Sequence, residues 1–510
     1  MILLNKTYKQ VQDNKVKLVY PIQIDEKIHN VYIAVDEEYE NQLCTDRADA
    51  ILMGILHYAI IHKHNIESEM PLSEDLVYKI EKIFLPSLKK HNQNMFVPCI
   101  HSNTIDYTCS QNGGVGTGIS CGVDSFNVLA NYWQSEFPSK KLTHLAIYNV
   151  GSFNDVYKEN GIQFVKDETW KRTEKVAEEL QLPLIKVDSN IAQEIPQNHL
   201  LTHSYTDAFV IFSLRGLWKT YFYASGYNNS IVEMDDCIHH DCSYYEMLLW
   251  DTFSADDCKV ILEGAEGTRE DKINNISHFA LARKYLHVCT AKATNCGKCE
   301  KCKRTLLAMD GLGVLDKFSD AFDIEEYKKN RSDNLRFMVK QRMLGNKFYE
   351  SSYQKLRKQY GKEIDNLQQE YSMERLIRKV DTLNGWLARW REYVYIFEQS
   401  VNEEKIRKNI LAGLKNEGIR SIAFYGDGEL RRFFWRILKD TDIEVDYIVE
   451  DGNFDWLPFR SVPRRTERLD KTDLIILTDV FASQGVIEKI QRAGIKSMTA
   501  KDMLKLALKN

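Results

Sequence analysis

The chain has 510 residues, 44% hydrophobic and 28% charged, a globular composition that excludes collagen-like, mucin-like and wholly disordered chains. Lys and Arg number 68 against 73 Asp and Glu, a net charge of −5, so the overall balance indicates neither nucleic acid nor an anionic membrane as partner. No apolar run is long enough to span a bilayer, and the first residues, MILLNKTYKQVQDNK, lack a basic start and a long apolar stretch; a cytoplasmic, reducing location is expected, where the 11 cysteines read as metal ligands or catalysts before disulfides.

Residues 1–104 form an α+β region. KVKLVYPIQI and NVYIAV alternate apolar and polar positions and predict strands. ADAILMGILHYAII predicts a buried helix, and PLSEDLVYKIEKIFLPSL a second one with Ser73 as N-cap. No catalytic motif stands out, so this region reads as structural or substrate-shaping.

Residues 105–316 alternate strands and helices. GVGTGIS, KLTHLAIYNV, PLIKVDS, TYFYASG and CKVILEG predict strands. SCGVDSFNVLANYW, DETWKRTEKVAEELQL and TDAFVIFSLRGLWK supply helices between them. That alternation predicts a parallel sheet of βαβ units, in which ligands bind beyond the carboxyl ends of the strands. Residues 317–415 form a polar, helical arm. Its Leu356, Tyr360, Ile364, Leu367 and Tyr371 recur at helical spacing and predict a packing face, or a coiled coil over 350–375 through which a homodimer can form. Residues 416–510 read as a small Rossmann-like domain. RSIAFYGDGELRRFFWRIL is strand, glycine turn and helix, with Gly426 and Gly428 in the turn and Asp451 ending the next strand. A lone G-x-G leaves both nucleotide binding and a purely structural module open.

The sharpest motif is Ser120-Cys121-Gly122-Val123-Asp124-Ser125, at a strand-to-helix turn. Backbone N–H groups and the positive end of the helix dipole meet a phosphate there. Gly122 permits close approach, Ser120 and Ser125 offer hydroxyls, and Asp124 offers oxygen to Mg²⁺. By itself the segment also fits an ordinary structural corner. It is not a Walker A loop, since no GK[ST] follows.

The second motif is Cys289-x6-Cys296-x2-Cys299-x2-Cys302. Four thiolates at this spacing can surround a tetrahedral Zn²⁺ and leave no position open, the pattern of a structural site. An iron–sulfur cluster is the alternative. Gly297 eases the turn, and Lys298, Lys301 and Lys303 partly offset the thiolate charge. A further polar group, His239, His240, Asp241 and Cys242, reads as a surface loop, with a second metal site or a general base as the alternative.

The loop resembles the SGGxDS loop of the PP-loop ATP pyrophosphatases, a HUP-like parallel-sheet fold. It matches at Ser120, Gly122, Asp124 and Ser125, with Cys121 where that family has its first glycine. A cysteine there is expected to narrow the loop or displace the phosphates. Loop and knuckle together, over 105–312, resemble the QueC (7-cyano-7-deazaguanine synthase) family. NCGKCEKCKRTLLAMDGLG resembles more closely QueC-like PP-loop proteins with extra N-terminal regions. The resemblance implies ATP on Ser120–Ser125, adenine near Tyr148 and Asn149, a second nucleotide-facing turn at Ser225 and Gly226, Mg²⁺ on Asp124, and Zn²⁺ on the four cysteines. The expected catalytic groups are Asp124, Ser125, Arg269 and Lys272, with Glu263 and Asp188 at neighbouring strand ends.

The implied reaction adenylates a carboxylate or carbonyl oxygen with loss of pyrophosphate. Nitrogen then displaces AMP, making the chain a C–N ligase or amidase. The acceptor is a small molecule or a protein-terminus carboxylate, and ammonia is free or delivered by a partner. Sulfur transfer through Cys121 or Cys109, and an ATP-binding regulatory protein without turnover, are the alternatives.

Overall fold

The alternating N-terminal segments form β1 (Ile2–Leu4), β2 (Tyr8–Gln12), β3 (Lys15–Ile24) and β4 (Lys27–Asp36). β3 and β4 are one antiparallel hairpin turning at Asp25, which adopts φ 53°. The computed structural model describes residues 1–106, 108, 113–153, 162–399, 403–426, 429–449, 460–462, 469–478 and 484–508. They fall into two compact units, Met1–Gln369 and Glu370–Asn510.

In the first unit β5 (Ile66–Ser68), β6 (Leu72–Ser73), β7 (Ile100–His101) and β8 (Thr104–Ile105) are short. β9 (Gly114–Gly118), β10 (His144–Asn149), β11 (Leu184–Ser189), β12 (Trp218–Ala224) and β13 (Lys259–Glu263) follow. One sheet of eleven strands runs β13-β12-β9-β10-β11-β4-β3-β1-β5-β7, with β2 on β3. Its β13-to-β11 part is wholly parallel. β4 joins it antiparallel, Ala34 opposite Asp188.

Residues 1–104 therefore share a sheet and a unit with 105–316, beyond what composition suggested. Buried ion pairs reinforce the join: Arg215 binds Asp49 at 2.6 Å and Asp257 at 2.5 Å. Ser73 stands at the N-cap position of the helix that begins at Glu74, as predicted, but makes no side-chain capping bond. Its backbone N–H donates to Asp49 at 2.8 Å and its hydroxyl contacts the same carboxylate, because satisfying a buried carboxylate outweighs one capping bond.

β9 consists of small residues because it is crowded from one side. A side chain at Gly116 would lie 2.4 Å from the Trp218 ring on β12. The helices Val123–Tyr132 and Ile162–Leu180 cover one face of the parallel strands. On the other, Phe209 and Ile211 of the helix His199–Ser213 share a core with the helix Asp49–His62. In chain order the parallel strands run third, second, first, fourth, fifth across the sheet. The connections diverge between β9 and β12, and that switch point is where such sheets bind ligands.

Leu356, Ile364 and Leu367 pack against Leu307, Leu335 and Met338 of the same unit. The predicted face is thus taken up by intrachain packing over that stretch. Further along the helix Glu350–Gln399, Ile377, Val380, Leu383 and Leu387 are exposed. In the second unit β14 (Ser421–Tyr425), β15 (Glu444–Val449), β16 (Arg460–Val462), β17 (Leu474–Leu477) and β18 (Lys496–Thr499) form a parallel sheet in the order β16-β15-β14-β17-β18. The helix Glu403–Asn416, predicted as part of the arm, buries Ile406, Ile410 and Leu414 in this unit's core. Gly426 closes β14 at φ 99°, while Asp427, Gly428 and Asp451 lie outside the described residues. Among the described residues, no helix is long and apolar enough to cross a membrane.

Candidate functional site

The Ser120–Ser125 turn leaves β9 at the switch point. Gly122 is the N-cap of the helix Val123–Tyr132 and makes no side-chain cap, so the first helical N–H groups face outward unclaimed by a capping side chain. Ser125 Oγ donates to Gly122 O at 3.2 Å, and Gly122 N–H donates to Ser120 Oγ at 3.3 Å. Val123 anchors the turn in the core.

Cys121 adopts φ 59°, the left-handed region that glycine enters freely and other residues at a cost of roughly 1–2 kcal/mol. Its side chain is 0% exposed and packs with Ile119, Val123 and Phe126. The thiol thus points into the core, away from the loop opening, and the expected narrowing does not arise from it. Burial pushes this thiol up to about 12, which leaves almost no thiolate at neutral pH.

Asp124 stands at the helix start, 2.8 Å from Lys272 Nζ and 3.8 Å from Arg269. Burial works to raise its pKa, but Lys272, Arg269 and Arg304 together hold the carboxyl below its ordinary range. Lys272 also donates to Ser225 O at 2.6 Å, which ties the turn after β12 to the turn after β9. Arg269 begins the helix Arg269–Ile276, whose Thr268 and Asp271 form a reciprocal cap. It donates to Thr305 Oγ1 at 3.2 Å. Burial, then Arg304 nearby, lower the Arg269 guanidinium to about 10, still protonated at neutral pH. Burial, Arg269 and Arg304 likewise lower Lys301. The buried Nε atoms of Arg269 and Arg304 have no hydrogen-bond partner among the described residues. Four cations thus surround Asp124, with Glu270 and Asp241 the other acidic groups acting on them, a positive excess that suits an anion.

Lys301, Arg304 and Thr305 share a face of the helix Glu300–Gly311. That helix starts in the cysteine knuckle. Cys299 is its N-cap and Cys302 lies in its first turn. The four sulfurs of Cys289, Cys296, Cys299 and Cys302 lie within 4.8 Å of one another, and Cys289 and Cys299 are 3.9 Å apart. Thiolates on one tetrahedral zinc stand roughly 3.8 Å apart. Backbone N–H groups of Lys292 and Cys299 point at the sulfurs of Cys289 and Cys296, each at 3.3 Å, and Gly297 takes φ 67° to allow the turn. Donor set, spacing and N–H···S contacts fit a closed Zn²⁺ site.

The remaining expected residues divide. Ser225 joins the site through Lys272, and its hydroxyl contacts the Glu246 carboxylate. Gly226 brings the turn close to the 241–243 loop, since a side chain there would lie 3.2 Å from Ser243 Oγ. Tyr148 and Asn149 point to opposite faces of β10, as successive strand residues do. Tyr148 donates to Tyr221 at 2.6 Å, while Asn149 donates to Asp188 at 2.5 Å beside Lys166 at 3.0 Å. Glu263 accepts from Asn131 and Tyr132 and braces a helix. A cavity of about 330 Å³ opens beside the end of β10, lined by Gly151, Ile191, His199, Thr202 and Thr206 among others. His199 Nδ1 and Gln197 Oε1, on its wall, are buried without hydrogen-bond partners among the described residues.

Glu246 is buried behind Ser225, and burial pushes its carboxyl from 4.5 up to about 7. The folded chain therefore holds a proton there that the unfolded chain releases. This contribution to stability is complete below about pH 4.5 and is lost as pH rises through 7. Glu246→Gln should remove about 1–3 kcal/mol of that pH dependence. Urea melts at several pH values between these limits check it, and an unchanged slope would exclude Glu246 as its source.

Comparison with family models, with curated proteins and with solved structures finds no match to this chain.

Proposed function

We propose that the chain is an ATP-dependent ligase of the PP-loop, QueC-like kind. It adenylates a carboxylate or carbonyl oxygen of its acceptor, releases pyrophosphate, and then joins nitrogen to the activated carbon with release of AMP. The observation that carries this reading is the convergence of Arg269, Lys272, Lys301 and Arg304 on Asp124 and the helix start at the switch point. The unpaired Nε atoms of Arg269 and Arg304 suit phosphate oxygens, which the planar guanidinium binds well. The order of the parallel strands supports the same reading.

In the first step an acceptor oxygen attacks the α-phosphorus, and the electron pair of the α–β bridging bond leaves with pyrophosphate. The guanidinium groups and the helix N–H groups stabilise that departing charge. Lys272 holds the two turns at fixed separation, so that both substrates are aligned. Bound Mg²⁺ would neutralise the polyphosphate, and Asp124, kept ionised by its cations, is the oxygen ligand for it. In the second step nitrogen of ammonia attacks the acyl carbon, AMP leaves, and the nitrogen loses a proton. The cavity of about 330 Å³ beside β10 suits a small heterocyclic acid better than a folded protein's terminus. A deazapurine carboxylate is the first acceptor to try.

The test is incubation of the full chain with α-labelled ATP, Mg²⁺, ammonium and a panel of carboxylic acids. Acceptor-dependent AMP is expected; acceptor-dependent ADP instead would contradict the reading. Binding without AMP across the panel would favour a regulatory ATP-binding protein.

Sulfur transfer through Cys121 is disfavoured by the burial of its thiol; Cys109 lies outside the described residues. Cys121→Gly exchanges a buried thiol for relief of the left-handed backbone. We expect stability within about 1 kcal/mol of the parent and AMP formation preserved. Loss of activity in a folded Cys121→Gly chain would restore the sulfur reading.

A further inference from the structure

The loop after β12 carries the polar run His239 to Cys242, and the structure divides it. His239 and His240 are exposed, with His239 Nδ1 2.6 Å from Asp236. Asp241 and Cys242 turn inward and meet His203, from the second turn of the helix His199–Ser213. One donor atom each from His203, Asp241 and Cys242 lies within 4.8 Å of the other two. Asp241 and His203 are 13% and 19% exposed, and Cys242 is fully buried.

From this juxtaposition we infer a second metal site, in which His203 Nε2, Asp241 Oδ1 and Cys242 Sγ bind a zinc-type divalent ion. Nitrogen and carboxylate oxygen on one tetrahedral zinc stand roughly 3.3 Å apart; His203 Nε2 and Asp241 Oδ1 are 3.2 Å apart. A mixed imidazole, carboxylate and thiolate set selects a borderline transition metal over Mg²⁺ or Ca²⁺.

The surroundings have the form that metal-binding histidines need. With Nε2 on the ion, His203 Nδ1 carries the proton and donates it to Tyr223 Oη at 3.1 Å, and Tyr223 donates to Asp207 at 3.2 Å. That chain fixes the tautomer and ring orientation. Asp241 is held by the Ser243 N–H at 2.9 Å and by Tyr227 Oη at 2.8 Å on its other oxygen. Ser243 Oγ, 3.1 Å from Nε2, must rotate away or give up that contact. Three protein ligands leave a position for water or an acceptor atom, unlike the closed four-cysteine knuckle.

Metal content separates the two sites without any assay of turnover. The full chain is loaded with excess zinc, desalted and analysed. Wild type should retain two equivalents, and Asp241→Asn and Cys242→Ser one each. Cobalt loading gives a second readout. A second equivalent should bind with weak, single-thiolate charge-transfer absorbance that Cys242→Ser abolishes while the knuckle's strong band persists. One equivalent in wild type, or two retained by either variant, would overturn the site. Both outcomes are independent of whether ATP binds.

Discussion

Asp124→Asn is expected to lower acceptor-dependent AMP formation by about 10²–10³-fold and to abolish the strengthening of ATP binding by Mg²⁺. The carboxylate lies within the field of Arg269, Lys272, Lys301 and Arg304 at the turn, and asparagine keeps its shape while removing its charge. On the proposed reading Mg²⁺ would then lose its oxygen ligand on the protein, and the cations would meet the triphosphate directly. ATP alone should therefore bind as well as before or better. Lys272 would keep only neutral oxygens, the Ser225 carbonyl and the new amide, and its ammonium is almost fully buried. A loss of about 1–3 kcal/mol in stability follows from that unpaired charge. Titration calorimetry with and without Mg²⁺, beside turnover assays, reads both effects. A variant with parental turnover and parental Mg²⁺ response would remove Asp124 from the site.

Stripping the knuckle metal is expected to have the second large effect, and at two places. Without a cation the cluster takes up protons, since burial and the neighbouring sulfurs push the Cys302 thiol up and burial pushes up Cys289, and the binding energy that a metal would add to folding is lost. A loss of at least about 5 kcal/mol, or roughly 10 °C in melting temperature, is expected for the unit that contains it. The helix Glu300–Gly311 grows out of the knuckle and carries Lys301, Arg304 and Thr305 towards Arg269 and Asp124. Metal-free protein should therefore bind ATP at least about tenfold more weakly at temperatures where it stays folded. Cys299→Ser should reproduce both results. Unchanged melting and unchanged nucleotide affinity in metal-free protein would separate the knuckle from the site.

The sequence carried those features that depend on residues close together in the chain. The turn at Ser120–Ser125, the four-cysteine spacing and the strand–helix alternation of 105–316 all have local signatures. The joining of β4 to β11 did not. An antiparallel pair formed across about 150 residues leaves no periodicity that distinguishes it from any other edge. Nothing local marks Arg304, and Lys301 reads in the sequence as a counter-charge for the thiolates. Only the path of the helix out of the knuckle turns their face toward Asp124. His203 carries no local signature of its partners for a related reason. It stands 38 residues from Asp241, and its partner ligands looked like a surface run beside His239 and His240. The one local hint was the pair His199 and His203, spaced one helical turn apart. Cys121 shows the opposite error. A non-glycine residue at a glycine position suggested an obstructed loop, whereas a left-handed backbone directs the thiol into the core.

The measurement closest to the central claim is the equilibrium binding of a non-hydrolysable ATP analogue with Mg²⁺ to the full chain, compared with Arg269→Ala and Arg304→Ala. One saturable site per chain is predicted, weakened at least about tenfold by each substitution. No binding, or binding that both variants leave intact, would contradict the assignment of this turn to a triphosphate.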